Sequence, residues 1–198
     1  MLSSIYFAEY RHGFLWRAGG RRIVAIGSRP IRPSEADLVH DANRTGIPAW
    51  TDDVAIGAGG RPVILYSTIE SPARHLYWYA AWSGRRWVSH FLVLGGPSIS
   101  PNTIETEYSG GMTLDHANPS VVYLSRKIRG YFQIERWTTA NAGGSWTHVA
   151  ITSGRGVDNI RPVVPRGAAG GLLWLSGHYG SYKAYHTTIV GREPGRSV

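Results

Sequence analysis

The feature that most constrains this chain is that it repeats. Residues 61–67, 75–82 and 87–93 read as three successive short strands, rich in aromatic and β-branched residues, with Ser83-Gly84 as a turn signal. The pattern returns at residues 121–125, 131–137 and 146–152: Ser125 follows Ser67 by 58 residues, and Trp137 follows Trp82 by 55. A third copy covers residues 172–176 and 181–190, with Ser176 placed 51 residues after Ser125. A weaker copy opens the chain at residues 5–9, 14–17 and 22–26, and residues 52–56 add an inner strand to the second copy. A period near 50 built from three or four short strands is the signature of propeller blades.

The expected fold is therefore all-β: a β-propeller of antiparallel three- to four-stranded blades. The 198 residues hold about four blades, near residues 1–27, 48–95, 108–153 and 159–191, in one domain. A β-sandwich of similar strand content is the alternative. Residues 28–46 and 95–109, rich in Pro, Gly, Ser and Asp, read as links between blades, and residues 34–39 as a short helical turn.

Composition narrows the chemistry. Zero Cys excludes disulfides, zinc-thiolate sites, iron–sulfur clusters and a thiol nucleophile. The net charge is +8, and Lys127 and Lys183 are the only lysines, so arginine carries almost all the positive charge. No run of five basic residues occurs, and the arginines are not interleaved with aromatics on one element, which argues against nucleic acid as a partner. Arginine instead suits planar, bidentate recognition of carboxylates. No apolar run reaches the roughly 18 residues of a membrane span. Residues 1–6 lack the charged and apolar regions of a secretory leader, so the chain reads as cytoplasmic as written, or as secreted if it is N-terminally truncated.

One motif is sharp. Thr139-Ala140-Asn141-Ala142-Gly143-Gly144-Ser145-Trp146 fits Ser/Thr-x-Asp/Asn-x-Gly-x-Ser/Thr-Trp at each defined position: Thr139, Asn141, Gly143, Ser145 and Trp146. It suits a turn between the third and fourth strands of a blade. Asn141 can cap nearby amides, the glycine takes positive φ, and Trp146 packs between sheets. This stretch resembles the Asp-box of BNR-repeat β-propellers. Residues 110–116, 122–126 and 159–163 also look like later blades of that family, and the resemblance covers roughly residues 48–190. It implies a sialidase-like fold, with the Asp-box as a structural element on the rim. The better-understood relatives that it brings in are polysaccharide lyases and glycosidases acting on acidic glycans. Two features depart from the family: about four blades rather than about seven, and no Phe-Arg-Ile-Pro, which argues against sialidase chemistry.

A propeller binds ligands on loops at the ends of its inner strands. The residues expected there are His75, His116, Ser125, Arg126, Asn159, Arg161, His178, Tyr179 and Tyr182. Such a set suits β-elimination on a uronate. Arg126 and Arg161 would clamp the carboxylate, with His75, Asn159 and Tyr179 as further substrate contacts. His116 or His178 would act as base, and Tyr182 or Tyr123 as acid. Hydrolysis by paired carboxylates is the competing chemistry, with Asp52, Asp53, Glu105, Glu107, Asp115, Glu135 and Asp158 as candidates. A non-catalytic glycan- or protein-binding propeller is the third reading. The eight histidines show no metal-ligand spacing, so no metal or cofactor is expected. An acidic oligo- or polysaccharide is the expected partner, together with self-association through open blade edges.

Overall fold

The computed structural model describes residues 2–100, 104–167 and 171–193. The described chain is all-β, in antiparallel sheets. Two sheets are four-stranded meanders. The first is β6 (Ala49–Ile56), β7 (Pro62–Ser71), β8 (Arg74–Trp82) and β9 (Trp87–Gly96). The second is β10 (Met112–Leu114), β11 (Val121–Ile128), β12 (Tyr131–Thr138) and β13 (Thr147–Ala150). A three-stranded sheet follows, made of β14 (Asp158–Val163), β15 (Leu172–Ser181) and β16 (Ala184–Arg192). At the N-terminal side β2 (Glu9–Arg11), β3 (Phe14–Trp16) and β4 (Arg22–Ala25) form another three-stranded sheet, and β1 (Ile5–Phe7) pairs with β5 (Asp37–His40).

The middle strands read as near-continuous apolar runs because both faces of their sheets are covered. On one face of β6–β9, Ala55, Val63, Leu65, Tyr77 and Tyr79 pack against Met112, Leu114, Val122, Leu124 and Trp137 of the next sheet. On the opposite face, Ile64, Tyr66 and Ala80 pack against Ile5 and Phe7. The far side of β10–β13 presents Val121, Tyr123 and Ile134 to Leu172 and Trp174. A strand with two apolar environments loses the in–out alternation of a half-buried strand.

The N-terminal region differs from the expectation. The segment read as one strand over residues 5–9 is two strands in different sheets. Ile5 and Phe7 are buried while Tyr6 between them is exposed, so β1 serves the second face of β6–β9. The link at residues 28–46 is partly ordered structure. The helical turn is confined to Pro33–Glu35, and β5 begins two residues later. Helix α1 (Ala42–Thr45) follows, with Asp41 Oδ1 accepting from the amides of Asn43 and Arg44 at 3.1 and 3.2 Å.

The second link is partly buried among its described residues. Ser98, Ile99, Ser100 and Ser109 are buried, and Ile99 N–H donates to the Tyr108 carbonyl at 2.9 Å. Among the described residues no helix is long and apolar enough to cross a membrane.

Candidate functional site

The first strands of three consecutive sheets lie side by side, β10 contacting both β6 and β14. Where they meet is a cavity of about 230 Å³. Trp50, Thr51 and Asp52 reach it from β6, Ser67 from β7, Gly111 and Met112 from the start of β10, and Arg161 to Val163 from β14. Glu107, Tyr108 and Ser109 come from the link between the two four-stranded sheets.

Local backbone chemistry sets this geometry. Gly110 and Gly111 allow β10 to start hard against its neighbours. A Cβ at Gly110 would lie 2.7 Å from the Ser125 carbonyl oxygen, and one at Gly111 would lie 3.3 Å from Arg161 Cδ. The Arg161 amide donates to the Gly110 carbonyl at 2.6 Å. Arg161 has φ +55 and precedes Pro162, at a register shift between Ile160 and Val163. Positive φ before a proline is disfavoured, and a bulge of this kind re-aims a side chain. Here it directs Arg161 to the cavity, where its guanidinium lies 5.4 Å from the Tyr108 ring centroid. Tyr108 in turn meets Trp50 edge-on at 5.4 Å. Among the described residues the Arg161 side chain has no hydrogen-bond acceptor and no ion pair within 4.0 Å.

The acidic partner is Asp52. Burial pushes its carboxyl up to about 6, against the hydrogen bond from Ser67 and the positive charge of Arg161, which both favour ionisation. Ser67 Oγ lies 3.4 Å from Ser109 Oγ, which accepts from the Gly111 amide at 3.2 Å. That amide also approaches the Tyr77 hydroxyl at 3.1 Å, and Tyr77 donates to the Ser125 carbonyl at 2.7 Å. Burial drives the Tyr77 phenol well above its ordinary range. The cavity thus combines a guanidinium with no acceptor among the described residues, a carboxyl pushed up to about 6 by burial, a second carboxylate in Glu107, and two aromatic walls.

Of the residues expected to form the site, Arg161 from the elimination set and Asp52 and Glu107 from the hydrolytic carboxylates line this cavity, and the others do not. His116 sits on the far end of β10, half exposed, with Nε2 3.0 Å from Asp53 Oδ1. Asp53 Oδ2 also accepts from the Leu114 amide at 2.8 Å, so this group ties β6 to β10. Tyr123 is buried in the packing between β10–β13 and β14–β16. His178 and Tyr182 are exposed on the β15–β16 hairpin. Tyr179 stands nearby, stacked with Tyr185 at 6.3 Å. His75 is fully buried, its Nε2 3.1 Å from the Thr106 carbonyl oxygen. Asn159 is buried and accepts from Trp174 Nε1 at 2.9 Å, while its carbonyl accepts from Ser125 Oγ at 2.6 Å. Arg126 grips Glu135 in two bonds of 2.7 and 3.0 Å. Trp50, Tyr108, Ser67 and Ser109 were not singled out in the sequence. Their only local signal is position: Trp50 two residues before Asp52, and Tyr108-Ser109 just before the Gly110-Gly111 pair.

Residues 139–146, the stretch that resembles an Asp-box, form the β12–β13 turn. Asn141 Oδ1 accepts from the Ser145 amide at 2.8 Å, Thr139 Oγ1 accepts from the Gly143 amide at 2.9 Å, and Trp146 Nε1 donates to the Gly143 carbonyl at 3.1 Å. Trp146 packs edge-on to Tyr79 of the preceding sheet at 5.2 Å.

Comparison of the chain with family models, with curated proteins and with solved structures found no match in any of the three.

Proposed function

We propose that the successive sheets are blades of a partial BNR-type propeller, and that the cavity shared by β6, β10 and β14 binds a carboxylate-bearing saccharide. The observation that carries this reading is Arg161: a guanidinium aimed into a cavity by a strained backbone, with no protein acceptor among the described residues. Such a group is left for a ligand anion, and a uronate carboxylate matches its fork. Trp50 and Tyr108 supply the flat apolar surfaces on which a sugar ring packs.

Asp52 is the group that takes or gives a proton at the bound sugar, since its pKa of about 6 lies close to neutrality. In the elimination reading, Arg161 neutralises the uronate carboxylate and so acidifies the adjacent C–H. Asp52 takes that C–H proton, the electron pair left behind forms the ring double bond as the bond to the glycosidic oxygen breaks, and the departing oxygen takes the proton back from Asp52. The hydrolytic reading is favoured by one further observation, that Asp52 and Glu107 line the same cavity. β16 has a strand partner on one side only among the described residues, and such an edge supports self-association of the chain.

Calorimetric titration with oligouronates and with neutral oligosaccharides of equal length tests the binding. Oligouronates should bind more tightly, and Arg161→Ala should remove that preference. Equal binding of both ligands, or an unchanged preference in the variant, would defeat the proposal. Ultraviolet absorbance of the unsaturated product, set against new reducing ends without it, separates elimination from hydrolysis.

A further inference from the structure

A second cleft, of about 290 Å³, opens at the β11–β12 hairpin of the second four-stranded sheet. Arg126, Arg129 and Arg155 line it, together with Tyr131, Ser153 and the carboxylate of Glu135. Glu135 is the one acidic residue in the lining, and it is already satisfied by both bonds from Arg126 and by Trp137 Nε1 at 2.9 Å. Three guanidinium groups therefore face one neutralised carboxylate, leaving an excess charge of +2.

The remaining donors are uncommitted. Among the described residues neither Arg129 nor Arg155 has a side-chain hydrogen bond, ion pair or ring contact, and the hydroxyls of Tyr131 and Ser153 have no hydrogen-bond partner. A turn and a set of hydrogen bonds hold them. Arg129 and Gly130 form a two-residue turn with φ +50 and +93, which sets the direction of the Arg129 side chain. Behind Ser153 and Arg155, the Gly154 carbonyl accepts from Gln133 Nε2 at 2.9 Å, and Thr152 Oγ1 donates to Gln133 Oε1 at 2.7 Å. Gln133 is itself buried.

We propose that this cleft is a binding site for a tetrahedral oxyanion, either a sulfate or phosphate ester on a larger molecule or the free ion. It is held by Arg129 and Arg155, with hydroxyl donors from Tyr131 and Ser153. Paired guanidinium groups and neutral hydroxyls around an excess positive charge are the donor set that such a group requires. The proposal does not depend on the saccharide cavity, because no residue lines both.

The test is an amide-resolved NMR titration with inorganic sulfate, inorganic phosphate and a sulfated oligosaccharide, each at constant ionic strength set with chloride. Saturable shifts should centre on residues 126–131 and 153–155. Arg129→Gln and Arg155→Gln should each weaken binding roughly ten-fold, the scale of one charge-assisted contact. Arg85→Gln, an exposed charge elsewhere, should leave it unchanged. A sulfated oligosaccharide binding more tightly than the free ions identifies an ester group as the ligand. Equal affinities identify the free ion. Shifts no larger than with chloride alone, or equal losses in the Arg85 and Arg155 variants, would overturn the site.

Discussion

Ser67 Oγ donates a 2.6 Å hydrogen bond to Asp52 Oδ2 at the wall of the central cavity. This bond opposes the burial that holds the Asp52 carboxyl up at about 6. Ser67→Ala should therefore move that pKa further upward. A ¹³C carboxyl titration by NMR reads the value directly, and a downward shift would show that another group controls it.

The same carboxyl predicts a pH-dependent stability. Its folded pKa lies above the unfolded value of 3.8, so the native state holds a proton that the unfolded chain releases. The destabilisation is absent below pH 3.8, grows as pH rises, and is complete above about 6. At most it amounts to about 3 kcal/mol. Asp52→Asn should raise the melting temperature at pH 8 and leave it unchanged at pH 3.5 relative to the parent. Melting curves at the two values suffice, and an equal effect at both would contradict the assignment.

His75 acts in the opposite sense. Burial lowers its pKa below 6.5, and its Nδ1 is buried with no hydrogen-bond partner among the described residues. The unfolded chain binds a proton that the native state resists, so this contribution is lost as pH falls from 6.5 towards the folded value. His75→Gln should flatten the stability profile on the acid side of 6.5. An unchanged slope in urea titrations across that range would count against it.

The β12–β13 turn is a packing element as well as a turn. Gly143 has φ +96, and an added Cβ would lie 2.8 Å from Tyr79 Cδ1. Gly143→Ala should cost roughly 2–4 kcal/mol, combining a positive-φ penalty with overpacking against a ring. Asn141→Ala should cost about 1–2 kcal/mol through the lost cap on the Ser145 amide. Chemical denaturation that ranks them the other way would show that the turn, rather than the inter-sheet packing, limits stability.

Arg126 and Glu135 form a pair in which the carboxylate is almost fully buried. Arg126→Met leaves that charge with Trp137 Nε1 as its remaining hydrogen-bond donor and should cost about 3 kcal/mol. Combining it with Glu135→Gln should recover part of the loss. A double variant less stable than Arg126→Met would mean that Glu135 contributes through contacts other than this pair.

Much of the fold was legible because strand patterning is local. The aromatic runs at residues 75–82 and 131–137 lie within β8 and β12, and the inner strand read at residues 52–56 lies within β6. The N-terminal region was legible only in part. Ile5 and Phe7 look like part of a strand with Glu9 until a distant sheet face, at Ile64 and Tyr66, claims them. The site was less legible still. His116, His178 and Tyr182 carry suitable chemistry, yet no local pattern shows which strand ends converge.

The sequence by itself determined most of the strands and turns of residues 49–192, because hydrophobic period and turn chemistry act over a few residues. Tertiary structure alone decided that Asp52, Tyr108 and Arg161 share a cavity while Arg126 faces another. Residues 52, 108 and 161 are brought together by the stacking of separate sheets and by a bulge before Pro162. The burial of Asp52, and with it its pKa, exists only once those sheets are packed.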